Sequence, residues 1–201
     1  EMVEISELVE QNIIDKPLDG NHGAIHPKAS DYVESGIPFI MANNLIDGTV
    51  DIHSANKITE KQALSLKKGF ARNGDVLITH KGTIGRTAIL SSEYEYVILT
   101  PQVTYYRINN INTLVNTFLK TCFDNSGFQQ KMKQLASVGA TRAYIGITQQ
   151  LDLQIPLPPL SIQQEIVAQI EAEQEMVNAN KKLIKIYEQK IKDKIGEVWG
   201  E

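Results

Sequence analysis

One cysteine, Cys122, stands among 201 residues, and that scarcity excludes a disulfide framework or a thiolate metal cluster. Cys122 falls in an apolar helical pattern with Phe118, Leu119 and Phe123, where it reads as a small buried hydrophobe. No apolar run approaches the ~20 residues of a membrane span, so no membrane partner is expected. The first ten residues carry four Glu and no basic side chain, which fits neither a secretory signal nor a transit peptide and points to the cytoplasm. Basic excess is missing too. The net charge of −4 argues against indiscriminate binding to nucleic acid or anionic lipid.

Catalytic and metal-binding patterns are equally sparse. His22, His26, His53 and His80 lack the spacing of a metal cluster; His22 and His26 are four apart but lie beside Gly23 and Pro27 and not on a helix, so no metal site is expected. There is no Gly-x-x-x-x-Gly-Lys-Ser/Thr loop and no Gly-x-Gly-x-x-Gly after a strand. Gly82-Thr83-Ile84-Gly85-Arg86 comes nearest, and it reads as the tip of a hairpin between two strands. No Ser-His-Asp spacing suggests a nucleophile. No catalytic residue and no bound cofactor are expected.

The pattern that is present predicts an α+β fold: a mixed, mostly antiparallel twisted sheet with short helices, then a long C-terminal coiled-coil helix. Strand candidates are Ile37 to Ala42, Thr49 to His53, Asp75 to Thr79, Arg86 to Leu90, Tyr96 to Leu99 and Val103 to Ile108, rich in Val, Ile, Thr and Tyr and bounded by Gly, Asn, Ser and Pro. Thr59 to Gln62 fits a capping box that opens a short helix through Leu66, stopped by Gly69. From Asn112 the period turns helical, through Phe123 and, after Gly127, through Phe128, Met132 and Leu135. Gly139 to Gly146 reads as a loop and Leu151 to Ile155 as a last strand. Pro156, Pro158 and Pro159 forbid helix until Ser161, which is placed to cap the long one. The expected division is therefore a globular domain over 1–155 and a proline junction with a long helix over 156–201.

That helix carries Ile170, Val177, Ile184, Ile191 and Val198 at an unbroken seven-residue interval, with Ile166 and Tyr187 on the adjacent column. This is a coiled-coil seam, and at ~1.5 Å per residue the helix runs ~55 Å, too far for a domain of this size to cover. Pairing with a second helix is expected, with Glu173, Asn180 and Lys194 in the second column available to set register.

Against the acidic background, two windows are locally basic: Lys67, Lys68, Arg72, Lys81 and Arg86, and Lys120, Lys131, Lys133 and Arg142. The first contains Thr79, His80, Lys81, Thr83 and Arg86 around Gly82 and Gly85, flexible donors on a loop whose glycines admit close approach of a ligand. A second candidate is Thr141, Arg142 and Tyr144 beside Gly139 and Ala140. A third is the polar, glycine-framed loop Asp19-Gly20-Asn21-His22-Gly23 with Lys28. Such groups suit phosphates and base edges; the bland alternatives are a solvated basic surface, an Arg142 paired with a carboxylate, and an ordinary turn.

Four segments together carry a resemblance. Gly36-Ile37-Pro38-Phe39-Ile40, then Lys68-Gly69 with Gly74-Asp75-Val76-Leu77-Ile78-Thr79, then Gly82-Thr83-Ile84-Gly85-Arg86, resemble the target recognition domain of a type I restriction-modification specificity subunit. LDLQIPLPPLSIQQ, from Leu151 to Gln164, is similar to the junction between such a domain and the family's spacer helix. The resemblance implies a non-catalytic subunit that recognises double-stranded DNA through Asn21, His22, Lys28, Thr79, Lys81, Thr83, Arg86, Thr141, Arg142 and Tyr144. It implies docking of methyltransferase subunits, which carry S-adenosylmethionine and methylate adenine, and of restriction subunits where present. Full-length members resemble two such units in tandem, and this sequence has one globule and one helix. A half-subunit forming a homodimer through antiparallel long helices, with Ile166, Ile170, Val177, Ile184, Tyr187, Ile191 and Val198 at the interface, is then expected. Such a pair would hold its recognition domains ~10 to 16 base pairs apart on a bipartite palindrome. The alternatives are one half of a longer product, the recognition domain of a fused restriction-methylation enzyme, and a coiled-coil scaffold that binds only protein.

Overall fold

A computed structural model describes residues 1–136 and 143–200. The chain divides into two compact units, Glu1–Leu160 and Ser161–Glu201.

The first unit opens with β1 (Met2–Glu4), α1 (Ile5–Glu10) and β2 (Leu18–Asp19), followed by short 3-10 turns at Gly23–Ile25 and Ala29–Asp31. Then come β3 (Ile37–Ile40), β4 (Leu45–Ile46), β5 (Gly48–Val50), β6 (Asn56–Ile58), α2 (Glu60–Ser65) and β7 (Phe70–Ala71). The central stretch is β8 (Val76–Lys81), β9 (Thr83–Ile89), β10 (Val97–Leu99) and β11 (Val103–Tyr106). Helices α3 (Asn116–Asp124) and α4 (Ser126–Ala136) follow, then α5 (Ile147–Leu151) and β12 (Gln154–Pro156).

Strands pair in the order β2-β11-β8-β9-β5-β4 in one sheet, β6-β3-β10-β7 in a second, and β1-β12 in a third. Among the described residues only β3 with β10 and β5 with β9 run parallel, so the α+β, mostly antiparallel expectation holds. The expected single sheet is instead three. The two larger sheets share a core, in which Ile40, Ala71, Val97 and Leu99 of one meet Leu45, Leu77, Ala88 and Val103 of the other. Successive strand residues face opposite ways, so Phe39 and Ile98 turn to the other side of the second sheet. There Ile58, Ala63 and Leu66 cover them. Helix α2 delivers Ala63, and of the expected capping box the Thr59 half is present: Thr59 Oγ1 accepts a hydrogen bond from the Gln62 backbone N–H at 3.2 Å, a cap contributing about 1 kcal/mol, while the Gln62 side chain bonds Asp31. Helices α3 and α4 pack beside β9, where Phe123 sits edge-on to Tyr106 and stacked on Phe128, each at 4.8 Å between centroids. Cys122 is buried there, and burial pushes its thiol up to about 12.

Three local expectations change. The hairpin tip is narrower than Gly82 to Arg86: Lys81 faces Thr83, so Gly82 alone makes the turn, at φ +77°. Gly85 lies within β9 at φ +85°, where a Cβ would come 2.0 Å from Gln129 Oε1, so only glycine lets Gln129 donate to its carbonyl at 2.9 Å. The expected strand over Leu151 to Ile155 is displaced by α5. That helix starts where Gln149 Oε1 accepts the Gly146 N–H at 2.9 Å, and only Gln154–Pro156 remains to pair with β1.

The second unit is the long helix α6 (Leu160–Trp199, 40 residues), about 60 Å at ~1.5 Å per residue. It includes Leu160, so Ser161 lies in its first turn and is not its cap. Ile170, Val177, Ile184, Tyr187, Ile191 and Val198 are exposed, and Ile166 is half-buried. Polar neighbours one turn apart bond along the surface, as Gln174 to Asn178 at 3.1 Å and Gln189 to Asp193 at 2.7 Å. Among the described residues no helix is long and apolar enough to cross a membrane.

Candidate nucleic-acid interface

Asp19 ends β2 opposite Thr104 with its side chain 3% exposed. A carboxylate so placed needs donors, and two arrive from elsewhere in the chain. Lys68 Nζ donates to Oδ1, and His22 Nε2 lies 2.7 Å from Oδ2. Burial pushes the Asp19 carboxyl up, but the hydrogen bonds from Lys68 and His22 outweigh it and hold the group below its ordinary range. The backbones of the two segments meet closely beside this pair: a Cβ on Gly69, next to Lys68, would lie 2.8 Å from the Gly20 Cα. Asn21 fastens the same junction. It is buried, its Nδ2 donates to the Lys68 carbonyl at 2.5 Å, and its Oδ1 accepts from the Lys67 N–H at 3.0 Å.

His80, near the end of β8, is fully buried with Nε2 3.8 Å from Asp19 Oδ2. Its Nδ1 lies 2.8 Å from the Ile145 carbonyl, which can only accept, so in the neutral ring Nδ1 carries the proton and Nε2 is bare. Desolvation is the largest cause keeping His80 below its ordinary value. The Ile145 N–H returns a bond to the His80 carbonyl at 3.0 Å, and the Gly82 N–H donates to Ala143 at 2.9 Å. Lys81 and Tyr144 form an antiparallel bridge between these bonds. The segment 143–145 is thereby laid along the hairpin tip as a short extra strand.

The sequence candidates fall into place on this frame. Lys81 is half-buried with Nζ 5.8 Å from the Tyr144 ring centroid, and Tyr144, 41% exposed, lies 5.6 Å from the His80 ring. Thr83 and Arg86 are exposed, and Arg86 Nη1 reaches the Ala42 carbonyl at 3.4 Å. Thr79 is buried beside the register shift in β8, where its Oγ1 accepts the Arg86 N–H at 2.9 Å. Lys28 is exposed at the Ala29–Asp31 turn. Thr141 and Arg142 lie outside the described residues. His22, Lys81 and Tyr144 thus border one buried hub with Thr83 opposite Lys81 at the tip, while Asn21 and Thr79 are engaged within the chain.

The sequence places His80 with the hairpin donors, Lys68 in a basic window and Asp19 in the glycine-framed loop, but it does not join the three into one buried group. Asp19-Gly20 and Lys68-Gly69 do carry a hint, since each charge precedes a glycine, but nothing local says that they meet. Among the described residues no group of three or more His, Cys, Asp or Glu could hold a metal ion; at Asp19 the cation is the Lys68 ammonium. At the opposite end of β8 a cavity of about 360 Å³ is lined by Arg72, Asp75, Arg107, Ile111 and Asn116 among others.

The family model described as "Type I restriction modification DNA specificity domain" matches residues 1–189. The type I restriction enzyme EcoBI specificity subunit of Escherichia coli is 27% identical over 172 residues, 83% of this chain. The chain spans about a third of that relative, 34% of its length. The HsdS subunit from Thermoanaerobacter tengcongensis superposes with a TM-score of 0.64 at 21% identity, covering 89% of this chain and 38% of that one. A chain from a structure on "complex assembly and conformational transition of the type I R-M system" gives 0.67 at 22%, covering 90% and 40%. The type I S subunit from M. genitalium gives 0.58 at 14%, covering 92% and 42%.

Proposed function

This chain belongs to the type I restriction modification DNA specificity domain family, and from that membership we propose that it reads a short sequence of double-stranded DNA through the face around Asp19 and the β8–β9 tip, supplying no catalytic group itself. The observation that carries the reading is the Lys81–Tyr144 bridge. It sets an ammonium and a phenol at a hairpin tip whose following strand carries the exposed Thr83 and Arg86, on backbones locked by hydrogen bonds. Cations such as Lys81 suit phosphates, which set register on the duplex, and a guanidinium such as Arg86 suits guanine O6 and N7.

The acidic balance, −4 overall, fits a reader that leaves much of the non-specific phosphate binding to its partner. That partner is a methyltransferase subunit, which brings S-adenosylmethionine and methylates adenine; a restriction subunit joins where the system has one. The exposed seam of α6 supports antiparallel pairing with the same helix of a second copy. A two-fold protein matches a two-fold site, so the DNA target is a bipartite palindrome with an unread spacer.

Selection from a random duplex pool by the complex of this chain with its methyltransferase subunit tests the reading. The expected result is enrichment of one bipartite sequence. A chain acting only as a coiled-coil scaffold would enrich nothing, and that result would overturn the proposal.

A further inference from the structure

His22 has a fixed tautomer. Its Nε2 faces Asp19 Oδ2 at 2.7 Å, and Asp19, held below its ordinary range by Lys68 and His22 against the effect of burial, is ionised. An ionised carboxylate only accepts, so Nε2 must carry the proton and the neutral ring shows a bare lone pair at Nδ1. The side chain is 45% exposed, and among the described residues no hydrogen bond reaches Nδ1. The ring cannot easily turn away. Oδ1 belongs to Lys68, and the other group facing Oδ2 is the bare Nε2 of His80 at 3.8 Å. Releasing His22 would leave a buried carboxylate oxygen against a lone pair.

Resting on the DNA-reading function above, we propose that His22 is a specificity-determining residue whose Nδ1 accepts a hydrogen bond from the exocyclic amino group of a base, adenine N6 or cytosine N4, in the major groove. Guanine and thymine present acceptors at those edges, so lone pair would face lone pair and they are rejected. Arg86, the guanidinium suited to guanine, can only donate, which makes His22 the complementary half of the reading. Asp19 is its positioning residue, and Lys68 and His80 keep Asp19 in place.

The test uses the whole chain with its methyltransferase subunit on its selected site. Each adenine is replaced in turn by purine and each cytosine by 2-pyrimidinone, changes that delete the amino group alone. At one position per half-site the deletion weakens wild-type binding about tenfold. In His22→Ala, with an unchanged melting temperature, the same deletion costs nothing further, and the analogue that couples tells adenine from cytosine. A second variant reverses the sign. In Asp19→Asn, Lys68 takes the amide oxygen, so the amide NH2 faces His22 Nε2 and Nδ1 becomes the donor. Preference at the coupled position then moves to guanine or thymine. Equal loss by His22→Ala on every sequence, coupling to a guanine or thymine in the wild-type site, or no coupled position overturns the inference while the DNA-reading function stands. A wild-type complex that selects no sequence removes both.

Discussion

Lys81 and Tyr144 are cross-strand neighbours whose side chains meet as cation and ring, with Nζ 5.8 Å from the ring centroid. The ring orders the lysine stem while the ammonium remains free to meet an anion. A basic side chain presented in this way suits a phosphate better than a base edge, because a flexible point charge carries little geometric selectivity.

Lys81→Met therefore weakens DNA binding by a similar factor on specific and non-specific duplexes, and lowers the slope of log affinity against log salt by about 1. A salt titration of wild type and variant measures it. A loss confined to the specific site would instead make Lys81 a base contact.

His80 makes stability depend on pH. Burial is the chief cause lowering its native value; the Ile145 carbonyl and Asp19 oppose it, and His22 and Lys81 add to it. The unfolded chain then binds a proton before the native one does, so stability is full above pH ~6.5 and falls as the pH drops from there, by at most ~1.4 kcal/mol per unit. His80→Gln has no such proton. Urea melts at pH 7.5 and 5.5 should show wild type losing more stability than the variant, and equal losses contradict the assignment.

Asp75 is held by a fork. Arg107 donates to both its oxygens at 2.9 and 2.7 Å, and the Arg72 N–H adds a third bond at 2.7 Å. Burial pushes the Asp75 carboxyl up, and Arg107 opposes it. Arg107→Leu leaves that carboxylate without its partner and costs ~3 to 5 kcal/mol near neutral pH. With Arg107 gone and only the Arg72 N–H left against burial, the native carboxyl binds a proton more readily than the unfolded one, so the deficit shrinks toward pH 5. A deficit independent of pH would show that the loss comes from packing alone.

Ile184 lies in the middle of the α6 seam and is 57% exposed. Burying an isoleucine against a second helix contributes ~1.5 to 3 kcal/mol, so under the proposed pairing light scattering should give a dimer for wild type and a monomer for Ile184→Asp. An unchanged dimer would remove the pairing of helices from the account.

Much of the fold was legible because its elements carry local periodicity. Thr59 and Gln62 announce α2, Val103 to Tyr106 announces β11, and the heptads of α6 stand out over 40 residues. Strands of two or three residues such as β2, β6 and β7 were not, since they acquire meaning only from a partner far along the chain. The candidate site divides in the same way. Lys81, Thr83 and Arg86 share a hairpin and could be grouped by eye. The Asp19–Lys68 pair joins residues 49 apart, and the close approach of Gly69 to Gly20 beside it is a property of the packed backbone. Asn21 looked like an exposed turn residue because its chemistry suits one, yet both ends of its amide close a junction with Lys67 and Lys68.

Mapping of methylated adenines in cells that express this chain with a type I methyltransferase subunit tests the DNA-reading claim most directly. The expected result is one bipartite palindromic motif in wild type, relaxed at a single base pair by Arg86→Ala, which removes ~1 to 3 kcal/mol of discrimination. Methylated adenines that share no sequence, or a motif unaltered when Lys81, Arg86 and Tyr144 are all replaced by alanine, would contradict it.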